Sequence, residues 1–356
     1  MQKLIQDHLL FPEVLWERPL NIYKRALGKV LVIAGSRGMA GAAALTLEAA
    51  YRAGAGIVTL GFPEGLVAVY KKILPEAMTL PLPETPAGSI STKAKDEIIK
   101  NSQDFDCAVI GPGLSQNAET MQLVWEIFFK IKKPIILDAD GLNAISLGFQ
   151  VIKRVNPVRS RPAVGTATPI PSFGATGQAA ALGRPVSNGV KKANDIVEFL
   201  KERKESTVIT PHAGEMMRII KAIRKKGEYQ KITSEFIDKN KEEIAQFVAE
   251  RLGFTTVLKG HETVIAEPGR MVINKTGNPG MATAGTGDVL AGIIGTFVSQ
   301  NLGRIFEAVS TAVYLHGLAG DIAREKIGER SLIASDIIKY FPDALKKAEK
   351  ELDKNH

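Results

Sequence analysis

Gly28-Lys-Val-Leu-Val-Ile-Ala-Gly-Ser36 decides the fold class. The run is apolar, β-branched and too short for a helix of its own, and it lacks polar alternation. It therefore reads as a strand buried on both faces, ended by a Gly-Ser turn. The same design recurs in AGIVTLGFP (Ala55–Pro63), FDCAVIGPGLS (Phe105–Ser115), KPIILDADGLNAIS (Lys133–Ser146), STVITPHAGEM (Ser206–Met216) and TTVLKGHETVIAEPG (Thr255–Gly269). Each apolar strand runs straight into a turn bearing Gly, Asp, His or Lys. Between them lie helical patterns: the Ala-rich Ala40–Gly54, the charged amphipathic Glu228–Leu252, the apolar Ala282–Gln300, Phe306–Glu325 and a lysine-rich tail. Alternation of this kind predicts an α/β fold with a mostly parallel sheet and helical crossovers. The polar turns then gather at the carboxyl ends of the strands, where open α/β sheets bind ligands.

The chain has 356 residues, with 46 Lys and Arg against 38 Asp and Glu, a formal charge of +8. A basic balance suggests a nucleic-acid or anionic-membrane partner only if the charge is spread over a folded surface. It is not. Between Gln150 and Asn194 there is no acidic residue, but there are Lys153, Arg154, Arg159, Arg161, Arg184, Lys191 and Lys192; removing these seven leaves 39 basic residues against 38 acidic. The stretch is rich in Pro and Gly and has no helical or strand period, so it reads as an inserted loop at about 150–192. It is either a tolerated insertion or an arm for an anionic ligand or partner. A single cysteine, Cys107, excludes an internal disulfide framework and a multi-cysteine zinc site and fits a reducing compartment, so a cytoplasmic location is expected. The first residues carry charge and have no long apolar core, which argues against a secretory signal. The most apolar long run, Gly280–Ser299, contains Asp288 and several glycines, so no membrane span is expected.

Asn278-Pro-Gly-Met-Ala-Thr-Ala-Gly-Thr-Gly-Asp288 carries the sharpest chemical signal. Consecutive small residues at a helix start can present their backbone N–H groups to an anion, helped by the helix dipole. Asp288 is then either a helix cap or a general base that takes a proton from a substrate hydroxyl attacking phosphorus. The segment lacks the GK[ST] ending of a Walker A loop.

Taken together, GKVLVIAGSRGMAGAAAL, AVIGPGLS, ILDADGLNAI, TPHAGEM, LKGHETVIA and NPGMATAGTGDVLAG resemble, in order, the motifs of the NAD(P)H-hydrate dehydratase family within the ribokinase-like superfamily. They cover nearly the whole chain except the basic stretch. The resemblance implies a ribokinase-like three-layer αβα fold over residues 29–356, preceded by an extension over 1–28. With so little chain ahead of Lys29, the dehydratase is expected without the epimerase domain to which this family is sometimes fused.

The implied activity is nucleotide-driven repair of hydrated NADH and NADPH. ATP or ADP phosphorylates the C6 hydroxyl of the hydrate, and phosphate is then expelled to restore the dihydropyridine. Asp288 would be the base, with Gly285 and Gly287 facing the transferring phosphoryl group. Lys259, Gly260, His261, Glu262 and Thr263 would line the adenine nucleotide, and Ala42, Gly113 and His212 the hydrate. Glu215 and Asp138 are the candidates for holding magnesium or its waters, and Asp140 and Asn143 share the Asp138 turn. Glu215, Asp138, Asp140 and Asn143 could equally be helix caps, and Lys259 a strand-end lysine in solvent. His316 and Cys107, on apolar stretches, are expected in the core. ADP is the expected nucleotide and a homo-oligomer, such as a tetramer, the expected assembly, with no nucleic acid or membrane partner. Two alternatives stand beside this expectation: a ribokinase-like small-molecule kinase of the thiamine-precursor type, and a nucleic-acid or partner-binding protein using the basic stretch.

Overall fold

The computed structural model describes residues 1–15, 18–73, 75–146, 196–225 and 227–353. The basic stretch therefore lies wholly outside the described residues. Ten strands form one sheet: β1 (Gln2–Gln6), β2 (Lys29–Ile33), β3 (Ile57–Pro63), β4 (Met78–Leu82), β5 (Cys107–Ile110), β6 (Ile135–Leu137), β7 (Thr207–Ile209), β8 (Thr255–Leu258), β9 (Val264–Glu267) and β10 (Arg270–Asn274). Their order is β1-β10-β9-β8-β7-β6-β5-β2-β3-β4. Every neighbouring pair is parallel except those of β9, which runs antiparallel to both β8 and β10.

Both faces of the sheet are covered, as the uninterrupted apolar strands require. Val30 and Val32 of β2 pack into a core shared with the helices Ala40–Arg52, Thr286–Gln300, Ile305–Ile327 and Ala334–Asp353. Leu31 and Ile33, pointing the other way, join a second core with Lys95–Ser102, Ala118–Phe128, Ala213–Ile223 and Lys241–Leu252. The period of two along one strand thus builds three layers. Each fully buried Leu or Ile here contributes about 1.5–3 kcal/mol relative to exposure. Cys107 and His316 are buried, as expected of core positions.

Two details differ from the sequence pattern. The Glu228–Leu252 region holds two helices, Ser234–Lys239 and Lys241–Leu252, separated at Asn240. Residues 1–28 are not merely an extension, because Gln2–Gln6 pairs along β10 as an edge strand. Among the described residues no helix is long and apolar enough to cross a membrane.

The Thr286–Gln300 helix lies unusually close to the Ala40–Arg52 helix. A Cβ on Gly292 would fall 2.2 Å from the carbonyl oxygen of Thr46, and one on Gly295 2.5 Å from a methyl of Val109 in the sheet beneath. The two glycines let the helix sink between its neighbours and bring its N-terminus to the carboxyl edge of the strands.

Candidate active site

The strand-end turns converge as the topology requires. Asp138, immediately after β6, is almost completely buried, and its Oδ1 accepts from Lys259 Nζ at 2.6 Å and from Thr210 Oγ1 at 2.7 Å. Lys259 follows β8, and Thr210 follows β7. Lys259 is therefore not a solvent-facing strand-end lysine. Burial opposes its charge, but Asp138, Glu215 and Asp288 together outweigh burial and hold its ammonium above the usual lysine range. Thr210 lay within the quoted TPHAGEM motif without a role; the signal that places it is its position one residue beyond a short buried strand.

Asp288 sits in the first turn of the Thr286–Gln300 helix, and the N-cap is Gly285 in the left-handed region at φ 94°. Asp288 is thus no cap. Burial, reinforced by the charges of Asp138, Asp140 and Glu215 and only partly countered by Lys259, pushes its carboxyl up to about 7. A carboxylate tuned this close to neutrality can accept a proton readily and release it again. Gly287 faces the ion pair: a Cβ there would lie 3.2 Å from Lys259 Nζ and 3.8 Å from Asp138 Oδ2. Any side chain at this position would crowd the space between the charged groups and the helix start.

Glu215 is buried, and its Oε2 accepts the backbone N–H of His212 at 2.9 Å, so it caps the Ala213–Ile223 helix as well as facing the site. Burial is the main force raising its carboxyl above the usual range. His212 Nδ1 accepts from Gly214 N–H at 3.0 Å, which leaves the proton of the neutral ring on Nε2. Burial, Lys259 and Arg218 lower its basicity, outweighing Asp138 and Asp238, which shifts the ring toward its neutral form.

Gly113 and Ala42 meet at the neighbouring edge: a Cβ on Gly113, at φ 61°, would come within 3.0 Å of the Ala42 Cβ and 2.7 Å of Met39 O. Thr46 ties this pair to the backbone of Asp288. Its Oγ1 is 2.9 Å from Ala42 O and 3.1 Å from Asp288 O, sharing one proton between the two helices. Asp140 braces the turns after β5 and β6, with Oδ2 accepting from Ser115 N–H and Oδ1 from the Asn143 amide. Asp140 and Asn143 thus serve local structure beside the site.

The residues after Lys259 form the β8–β9 hairpin turn. Gly260 has φ 133°, the His261 carbonyl accepts from Lys241 Nζ at 2.6 Å, and Thr263 Oγ1 donates to Gly260 O at 2.9 Å. Glu262 pairs with Lys275. The His261 side chain is 95% exposed at the outer edge of this turn.

For magnesium, the chemistry of the donors is the test. Among the described residues no group of three or more His, Cys, Asp or Glu side chains could hold a metal by itself. Asp138 Oδ2, Asp288 and Glu215 nevertheless supply hard oxygen donors around one space. That fits a magnesium ion bound by one or two carboxylates together with nucleotide phosphates.

A mostly parallel sheet between two helical layers, with an aspartate at a glycine-led helix N-terminus over the strand ends, defines a ribokinase-like enzyme. Comparison with known proteins narrows the class. The NAD(P)H-hydrate dehydratase family model matches residues 30–162 and 188–343, and the chain belongs to this family. It is 35% identical over 337 residues to the bifunctional NAD(P)H-hydrate repair enzyme Nnr of Moorella thermoacetica, covering 94% of this chain and 52% of that protein. It is 28% identical to the ADP-dependent (S)-NAD(P)H-hydrate dehydratase of Neisseria meningitidis serogroup B, covering 94% of this chain and 91% of that one. The crystal structure of the ADP/ATP-dependent NAD(P)H-hydrate dehydratase of Bacillus subtilis, co-crystallised with ATP and Mg2+, superposes with a TM-score of 0.64 at 26% identity, covering 93% and 94% of the two chains. The chain spans about half the length of the bifunctional relatives it matches.

Proposed function

We propose that the protein dehydrates the (S)-hydrate of NADH and NADPH to NAD(P)H at the expense of ADP or ATP. The observation that carries this reading is Asp288: a carboxyl raised to about 7, at the N-terminus of a glycine-led helix, facing the buried Lys259–Asp138 pair. Hydroxide is a poor leaving group and phosphate a good one, so the nucleotide supplies the driving force. Asp288 takes the proton of the C6 hydroxyl as that oxygen attacks the terminal phosphorus. The N–H groups at Gly285–Gly287 and the ammonium of Lys259 meet the charge on the phosphoryl group. The C6–O bond then breaks with release of phosphate, a proton leaves the adjacent ring carbon, and the dihydropyridine is restored. Magnesium, when bound with the nucleotide, neutralises phosphate charge, and Asp138 with Asp288 or Glu215 would hold it or its waters.

The hydrate rests against Ala42 and Gly113, whose small size leaves room for its ring, and against His212. The nucleotide runs along Lys259–Thr263 toward Gly285 and Gly287. ADP is the preferred nucleotide in this reading. Residues 29–356 act as one catalytic domain interrupted by the basic insertion, in a cytoplasmic homo-oligomer; the single buried cysteine supports the compartment.

Incubation with hydrated NADH, magnesium and either ADP or ATP tests the proposal. Recovery of NADH absorbance with stoichiometric phosphate is expected. No turnover with either nucleotide sinks it, and a stable phosphorylated product would establish a small-molecule kinase instead. Removal of residues 156–189 is expected to leave turnover intact, whereas loss of a salt-sensitive nucleic-acid interaction on that deletion would favour the binding-protein alternative.

A further inference from the structure

The segment Asn274–Thr286, which ends in the anion-facing helix start, is fastened along one helix. The Ile305–Ile327 helix reaches it at five successive places on a single side. Thr276 Oγ1 donates to Tyr314 O at 2.9 Å. A Cβ on Gly317 would lie 2.2 Å from Thr276 Oγ1, and one on Gly320 2.3 Å from the sulfur of Met281. Asp321 accepts from the Gly277 N–H at 2.8 Å with one carboxylate oxygen and from the Asn278 amide at 3.0 Å with the other. Finally, His316 Nε2 lies 3.1 Å from Thr286 O. A carbonyl can only accept, so the imidazole donates and its proton sits on Nε2. Tyr314, Gly317 and Asp321 lie at spacings of three and four, as do His316 and Gly320, so together they form one broad face of the helix.

We infer that Asp321 and His316 are positioning residues for phosphoryl transfer, clamping the two ends of the Gly277–Thr286 loop so that its amides and Asp288 are set before substrate arrives. The inference rests on the proposed reaction for its kinetic consequence, but the clamp itself is a statement about the free protein. Asp321 fixes where the loop enters. His316 fixes where it becomes helix. Thr286 Oγ1 also donates to Thr283 O at 3.0 Å, closing the last turn on itself. Neither Asp321 nor His316 is needed to hold nucleotide or hydrate. Their loss therefore blurs geometry rather than removing a binding contact, and geometric errors of about 1 Å can cost 10²-fold in rate.

The test uses the whole chain with Asp321→Ala, Asp321→Asn, His316→Leu and His316→Gln. Gln places a donor nitrogen close to the position of Nε2, and Asn retains only one acceptor at a site that serves two donors. In Asp321→Ala and His316→Leu, kcat per folded molecule should fall tenfold or more while the KM for nucleotide changes less than threefold. His316→Gln should regain most of the loss, and Asp321→Asn should lie between wild type and Ala. Amide exchange in the peptide spanning residues 276–287 should quicken in the Ala and Leu variants without quickening in the central strands. Unchanged loop exchange together with unchanged kcat per folded molecule overturns the inference. So does a loss of activity that only tracks loss of folded protein. If wild type fails to turn over hydrated NADH, the proposed reaction fails, but loop exchange and the affinity for ADP still decide whether the clamp exists.

Discussion

The loop over residues 274–288 and the hairpin turn over 259–263 approach one site from two sides, and they are held by different means. The loop is pinned by partly buried bonds to a neighbouring helix, and what it presents is mostly backbone together with one carboxylate. The turn is held nearer the surface, by half-buried Lys241 and exposed Lys275, and it presents one lysine, while its His261 side chain faces water. Backbone donors cannot adjust by rotamer, so they must be placed by the fold. A lysine on a four-carbon stem can follow its target. Side-chain changes in the loop should therefore act through shape, and changes in the turn through charge at Lys259.

The largest effect falls on the loop's carboxylate. Asp288→Asn keeps the shape and removes the base, so turnover should drop about 10²–10⁴-fold with nucleotide affinity preserved. Measured kcat beside ADP titration checks this, and unchanged kcat would remove Asp288 from the chemistry. On the turn side, Lys259→Met strips the charge and leaves Asp138 buried without its cation. Loss of one member of a buried pair costs about 3 kcal/mol, visible as a lower Tm, together with a weaker nucleotide KM. If Lys259→Met lowers kcat but spares both Tm and KM, the turn acts as the loop does and the contrast fails.

Protonation sharpens the comparison next. The folded-state carboxyl of Asp288 is raised to about 7 from an ordinary value of 3.8, so kcat/KM should fall as pH drops below about 7. Stability runs the other way. The native state binds this proton more tightly than the unfolded chain, so Asp288 lowers stability as pH rises from about 4 through 7. Asp288→Asn should accordingly unfold at a higher temperature than wild type at pH 8 and lose that advantage near pH 4. Equal Tm differences at both pH values would contradict the buried-carboxyl account. Gly285→Ala then tests shape alone: its left-handed φ costs about 1–2 kcal/mol for a residue with a Cβ, and that Cβ would fall 2.6 Å from Leu45. The smallest effect belongs to the exposed rim of the turn. His261→Ala should change kcat by less than about threefold and stability by no more than about 0.5 kcal/mol, because its carbonyl bond to Lys241 survives and its side chain has only a long, exposed contact with Glu262.

Much of this was legible in the sequence because of double burial. β2, β3, β5, β6, β7 and β8 carry apolar residues on both faces, which leaves a mark no other element leaves. The antiparallel β9 was not separated from β8, since Lys259–Thr263 bears no two-residue Asn-Gly or Asp-Gly signal. β1 was missed because its outer residues are polar and its partner lies far along the chain. In the site, Asp288, Lys259 and Asp138 stood out as charges beside glycines. Thr210, Thr46 and Asp321 did not, because a hydroxyl or carboxylate bonding backbone from another element has no local pattern. The helix stripe through His316 and Asp321 reads as an ordinary buried face until the loop it touches is known. The basic insertion, conspicuous in composition, falls outside the described residues.

The edge strand β1 has a consequence for how the enzyme comes to be made. Gln2 pairs with Arg270 and Gln6 with Asn274, and Asn274 opens directly into the loop that serves the site. On the ribosome, residues 2–6 must wait unpaired until just over three quarters of the chain has been synthesised, a closure of very high contact order. The catalytic edge is therefore among the last parts of the sheet that can be completed. A nascent chain stalled before β10 would carry an open strand end and a finished central sheet, but no working active site.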